Sequence, residues 1–138
     1  MHALLLSDPS RILAGAMLLS IVTIEFGGWF VLRTSSGAVA ATDFQRSFAR
    51  AGHGHAGVLV TLGLVCLLLA DASGLTGPLG WIARLGVPVA ALLVPGGFFA
   101  SSAGRGRTRP NRAFVLVWLG VASLALGVGV LGIGLLTG

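Results

Sequence analysis

The chain has no lysine and no tyrosine, a single cysteine, and four acidic residues among 138. Charged residues make up 9% of it, where an average soluble domain carries about 25%. No polar stretch is long enough to form a separate soluble domain. The chain is therefore read as one unit, residues 1–138, sitting mainly in lipid. Cys66 lies inside an apolar run and has no partner for an internal disulfide. It leaves the redox compartment unreadable and reads as a small buried hydrophobe. The sequence carries no phosphate-binding glycine loop, no dinucleotide fingerprint, and neither a Ser-His-Asp nor a Cys-His arrangement. The first apolar stretch, 3–6, is too short for a cleavable signal peptide and is interrupted by Asp8 and Pro9, so none is expected.

All nine basic residues are arginine, the net charge is +5, and the sequence pI is about 11.7. Such a balance can signal nucleic-acid binding. Here the arginines lie in short loops between apolar runs, where charge orients the chain or meets anionic groups at the membrane surface. No nucleic-acid partner is expected.

Hydrophobic residues, by contrast, make up 55% of the chain, and the mean hydropathy is +0.96. Crossing a bilayer takes about 20 apolar residues. Four segments reach that length, at about 11–32, 51–70, 81–101 and 113–136. Short connections make neighbours antiparallel, so the expected fold is an all-α, integral membrane, four-helix up-down bundle. Asp8 is a candidate cap for the first helix, with Pro9 at its first position. Thr42 and Gln45 have the spacing of a capping box, and Phe44 and Phe48 fall on one helix face. The second helix is thus expected to begin near Asp43 and run inward through the histidines. Pro88 and Pro95 interrupt the third segment. In the fourth, Ser123 precedes Gly127 by four residues and Ala125 precedes Gly129 by four, a spacing that lets helices approach closely. Twenty-two glycines fit either tight packing within the chain or an oligomer. Trp29, Trp81 and Trp118 read as interface anchors; His2, near the terminus, has no specific role.

Three groups of residues point to chemistry. Glu25 is the one acid well inside a spanning segment, about 12 Å from the Arg33 end at 1.5 Å per residue. A carboxylate in hydrocarbon is expected to face the bundle interior, paired or protonated. It would carry a proton, ligate a metal or partner a histidine; a structural pair with Arg84 or a loop arginine is the alternative. His53 and His55, in RAGHGHAG, belong to the same end of the bundle. Neutral imidazole is a good ligand for haem iron, zinc or copper. Residues two apart on an α-helix point about 200° from each other, so the pair cannot chelate one metal from a regular helix. Either Gly52, Gly54 and Gly57 break the helix, or the histidines serve different neighbours, with the glycines leaving flat faces for a macrocycle. Two polar residues bonded to water or carbonyls at the membrane boundary are the plainer alternative. The third group is the loop GRGRTRPNR, where Arg105, Arg107, Arg109 and Arg112 line one mouth of the bundle. They suit carboxylates and phosphates, either lipid headgroups or haem propionates, with Asn111 and the Ser101-Ser102 pair adding hydrogen bonds.

His-x-His early in a transmembrane helix resembles the catalytic subunit of the haem-copper oxidases. In that family two such imidazoles ligate different haems, the subunit is built of three arcs of four helices, and arginines between the third and fourth helices of one arc hold propionates. This chain resembles one such arc. The resemblance implies a homotrimer rebuilding a twelve-helix ring, with haem b held between His53 of one subunit and His55 of the next, and the loop arginines on the outer side. The positive-inside rule instead places the arginine-rich loops in the cytoplasm. Without tyrosine the family's tyrosine has no counterpart here, and three histidines for a copper atom would come only from symmetry. The chain is also similar to small four-helix membrane proteins of high-GC bacteria, and the expected location is the bacterial inner (plasma) membrane.

The first expectation is therefore a membrane haem-binding oxidoreductase. It would perform electron transfer or haem-copper-oxidase-like chemistry with a quinone or cytochrome as redox partner. His53 and His55 would be ligands, Arg105, Arg107, Arg109, Arg112 and Asn111 propionate partners, and Glu25 the proton-handling group. The second is a metal-ion or proton-coupled transporter or channel, in which Glu25 and histidine hold a proton, iron, copper or zinc. The third is a structural subunit of a larger membrane complex.

Overall fold

The computed structural model describes residues 6–137; His2 lies outside them. Four helices follow in order: α1 (Asp8–Ser35), α2 (Asp43–Ala72), α3 (Gly77–Ser102) and, after a single 3-10 turn at Arg112–Phe114, α4 (Val115–Thr137). All four are long and apolar enough to cross a membrane. The described chain is all helical, as expected from its apolar runs.

Local chemistry explains the helix ends. The cap of α1 is Ser7, whose hydroxyl accepts from the Ser10 amide, and Asp8 is the first helical residue. The expected cap was thus one residue late: serine and aspartate are equally good caps, and Ser7 also binds Asp71 across the fold. At α2 the capping box forms as expected. Gln45 N donates to Thr42 Oγ1 and Thr42 N donates to Gln45 Oε1, both at 3.2 Å. The helix then runs without a break through Gly52, Gly54 and Gly57. A helix-breaking role for those glycines is excluded, and the two histidines serve different neighbours.

α1 packs on α2, α2 on α3 and α3 on α4, whereas α1 and α4 do not touch among the described residues. The four helices form an open arc with α1 and α4 as its edges. The interior holds two small clusters. One is built around Met17, Leu59, Val60, Leu67 and Val94; the other holds Cys66, Val87 and Leu131. The outer surface carries Leu18, Leu19, Phe26, Leu92 and Leu136 in the open, the arrangement lipid favours. The α3–α4 seam is the tightest. A Cβ on Gly127 would lie 2.7 Å from Gly86 Cα, and Ser123 Oγ donates to the Gly86 carbonyl at 2.9 Å. The Ser123/Gly127 pair therefore serves packing within the chain. Ala125 and Gly129 face outward.

Candidate functional site

The C-terminal end of α1, the start of α2, the C-terminal end of α3 and the start of α4 share one end of the arc. The loop after α3 is tied down over the start of α2. Thr42 Oγ1 donates to the Arg107 carbonyl, and Gln45 Nε2 donates to the carbonyls of Ser102 (2.9 Å) and Gly104 (2.6 Å). Beneath it lies an aromatic layer: Phe44 meets Phe48 at 4.2 Å with the rings tilted, and Phe48 meets Phe98 at 5.3 Å and Phe114 at 5.9 Å.

The two histidines flank this layer. His55 is exposed and stacks on Phe98, ring centroids 5.3 Å apart. Its Nδ1 lies 2.7 Å from the Ala51 carbonyl. A carbonyl only accepts, so Nδ1 carries the hydrogen and the neutral ring keeps its Nε2 lone pair free. Gly54 and Gly57 beside it have open space where a side chain would stand. His53 faces the other way, onto α1. A Cβ on Gly28 would lie 3.0 Å from His53 Cε1, and one on Gly27 would lie 3.6 Å from Nδ1. The glycine pair of α1 is the bed of this ring. Among the described residues, His53 Nδ1 is buried and has no hydrogen-bond partner. His53 thus meets its own chain's α1.

Glu25 departs from expectation. It sits on the exposed face of α1, not in the interior. Among the described residues it forms no ion pair, and Arg84, a candidate partner, is engaged elsewhere. The α1 contacts with α2 and α3 run through Met17, Gly27 and Gly28. Among the described residues no three His, Cys, Asp or Glu side chains gather where a metal could bind.

Arg105, Arg107, Arg109 and Arg112 are exposed at the same end as the histidines. Arg107 Nε donates to the Ala103 carbonyl at 2.7 Å. Arg33 lies over the Trp29 ring at 4.8 Å. Arg46 pairs with Asp43 at 2.5 Å. Asn111 is engaged within the chain. Its Nδ2 donates to Ala100 O (3.0 Å) and its Oδ1 accepts from Ala113 N (2.7 Å), so it joins the end of α3 to the start of α4. Ser101 and Ser102 are buried and donate back to the carbonyls of Phe98 and Phe99. Small amides and hydroxyls beside helix ends satisfy the nearest backbone groups first.

No family model, curated protein or solved structure matches the chain. Function must therefore be argued from the site itself.

Two features were not anticipated from the sequence. At the opposite end, Asp71 Oδ1 accepts from Ser7 Oγ, Ser10 Oγ and both Arg84 Nε and Nη2, while Oδ2 accepts from the Ser7 amide, all at 2.8–3.2 Å. The knot ties α1, α2 and α3 together. An acid ending one span and an arginine just inside the next, across a short turn, was its signal. The second feature is a cavity of about 460 Å³ between α1, α2 and α3, with His53, Gly27 and Phe99 among its lining residues.

Proposed function

We propose that this chain is a membrane haem-binding redox protein, with His55 as the axial ligand. The observation that carries this reading is the state of the His55 ring. Its Nδ1–H is held by the Ala51 carbonyl, which fixes the tautomer that leaves Nε2 free to bind a metal. The surroundings fit a macrocycle. Gly54 and Gly57 leave the adjacent helix surface uncrowded, and Phe98 supports the ring from behind. Arg105, Arg109 and Arg112, exposed at the same end, suit the two carboxylates such a group carries. The chemistry the cofactor supplies is a one-electron couple whose potential follows its axial ligands and surroundings. The protein holds the imidazole in one tautomer, orients it on the Phe98 ring and provides the cationic rim.

Self-association belongs to the same proposal. An arc whose edge helices do not touch, and which exposes Glu25 on one of them, gains from closing against further copies. A membrane-embedded carboxylate facing lipid is costly, and a neighbouring copy can cover it. The alternative of a transporter with Glu25 and a histidine in one site has less support, because among the described residues Glu25 forms no ion pair with either histidine.

The test is the visible spectrum of the detergent-purified protein together with metal analysis of the same sample. A Soret band with stoichiometric iron is expected, lost in His55→Ala. No Soret band in protein from haem-competent cells would end the reading. Zinc, copper or iron without porphyrin would favour the transporter.

A further inference from the structure

The cavity beside His53 has a shape and a polarity that the haem reading does not use. It runs along α1 from Leu13 to Gly27, a rise of about 21 Å at 1.5 Å per residue. α3 lines the facing side from Leu85 to Phe99, and α2 forms the floor from Val60 to His53. It is therefore a slot along the helix axes, not a round hole. Its volume, about 460 Å³, falls in the range of about 300–1,000 Å³ found for small-molecule sites. Its walls are almost wholly apolar, and they include no charged side chain. Polarity is confined to the hydroxyls of Ser20 and Thr23 partway along and to the imidazole of His53 at one end. The Ser20 hydroxyl already donates to the Met17 carbonyl at 2.7 Å. Among the described residues His53 makes no hydrogen bond, and its buried Nδ1 has no partner. The slot lies between α1 and α3, which meet over only a few residues, so a molecule dissolved in the bilayer has a lateral way in.

We infer that this slot binds a neutral, elongated lipophile with a carbonyl or hydroxyl oxygen at one end, in the manner of a quinone with an apolar tail. The oxygen hydrogen-bonds to His53, and the tail lies along the slot toward Leu13 and Leu85. Neutrality follows from the absence of a counter-charge in the lining: an ionised head would be desolvated without a partner. An oxygen at the His53 end follows from the imidazole, which has one donor and one acceptor and otherwise leaves its hydrogen-bonding capacity unused. Pro88 and Pro95 both line the slot. They share that wall of α3 with Leu85, Leu92 and Phe99. The inference stands apart from the haem reading, since it uses His53 and not His55.

The experiment is equilibrium partition of decylubiquinone into phosphatidylcholine nanodiscs that contain the full chain, with empty nanodiscs as background. n-Dodecylbenzene, which has a tail but no oxygen, is run beside it. Wild type is expected to bind decylubiquinone saturably, close to one per chain. His53→Phe, which keeps an aromatic ring and removes the hydrogen bond, should weaken it about tenfold, a change of about 1.4 kcal/mol. Dodecylbenzene should bind wild type and His53→Phe alike. Ala16→Phe, at an exposed position on the slot wall, should block the quinone while leaving thermal unfolding unchanged. If His53→Phe fails to fold, Ala16→Phe decides alone. Binding that never rises above empty nanodiscs, or that Ala16→Phe leaves intact, overturns the inference. A phospholipid acyl chain retained in the slot that decylubiquinone cannot displace overturns it as well.

Discussion

The ring of His53 lies on Gly28 so closely that a methyl group there would come within 3.0 Å of Cε1 and 3.3 Å of Nε2. The same methyl on Gly27 would meet ordinary contacts, 3.6 Å to Nδ1 and 4.0 Å to Phe99. Adjacent glycines therefore differ in what they tolerate. Gly27→Ala should leave stability within about 0.5 kcal/mol of wild type. Gly28→Leu overfills the α1–α2 contact and should destabilise by about 1–3 kcal/mol. Thermal unfolding in detergent, followed by circular dichroism, separates the two. Equal melting temperatures for both variants would mean that the imidazole does not rest on α1.

The α3–α4 seam gives a sharper contrast. Gly127 meets the Gly86 backbone, which cannot move aside as a flexible side chain can. Gly127→Leu should therefore separate the helices and cause a large loss of folded protein. Gly129→Leu, at an outward position with open space around it, should leave the isolated chain folded. Ser123→Ala removes one bond to the Gly86 carbonyl, and such bonds between membrane helices average about 0.6 kcal/mol. Expression and size-exclusion profiles of the three variants should rank Gly127→Leu worst by a wide margin.

The pair Asp71–Arg84, at 2.9 Å, is mostly shielded, its side chains 13% and 17% exposed. Exposed ion pairs contribute about 0–1 kcal/mol, whereas breaking a buried pair costs about 3–5 kcal/mol. Asp71→Asn should fall nearer the second figure, because it leaves the Arg84 charge without its acid and weakens three links to Ser7 and Ser10. Adding Arg84→Met to Asp71→Asn should destabilise less than the sum of the single changes, since the stranded charge is gone. Denaturation by SDS titration reads all three. Strict additivity would show that the two groups act independently.

How far the sequence carried these conclusions depended on the range of each interaction. The four spans, the Thr42–Gln45 capping box, the start of α2 and the Phe44–Phe48 face depend on residues a few positions apart, and all were legible. So was the divergence of His53 and His55, because a regular helix turns about 200° in two residues. The orientation of α1 was not legible. In a soluble helix the apolar face marks the interior, but in lipid both faces are apolar. The contacts of α1 include glycine and methionine, and Glu25 is exposed with nothing in the sequence to announce it. The Asn111 bond to Ala100 was not legible for a related reason: it spans a loop whose path the sequence does not specify.

Glu25 supplies the test of whether one chain is the working unit. Within the described chain it has no ion-pair partner and is exposed, so Glu25→Gln removes no internal contact. If lipid were its true neighbour, the neutral amide would be easier to accommodate than the carboxylate, and the variant would be as stable as wild type or more so. If a second copy covers this face of α1, the same change deletes a charged group from the interface, and association weakens while the chain stays folded. The expected result is the second: circular dichroism and melting of the dissociated chain unchanged, with the complex shifted toward smaller species in native mass spectrometry or light scattering. A wild type that is monomeric in both detergent and nanodiscs would remove the self-association proposal. A Glu25→Gln variant that associates as tightly as wild type would place the interface on another face, the outward Ala125–Gly129 side of α4 being the next to mutate.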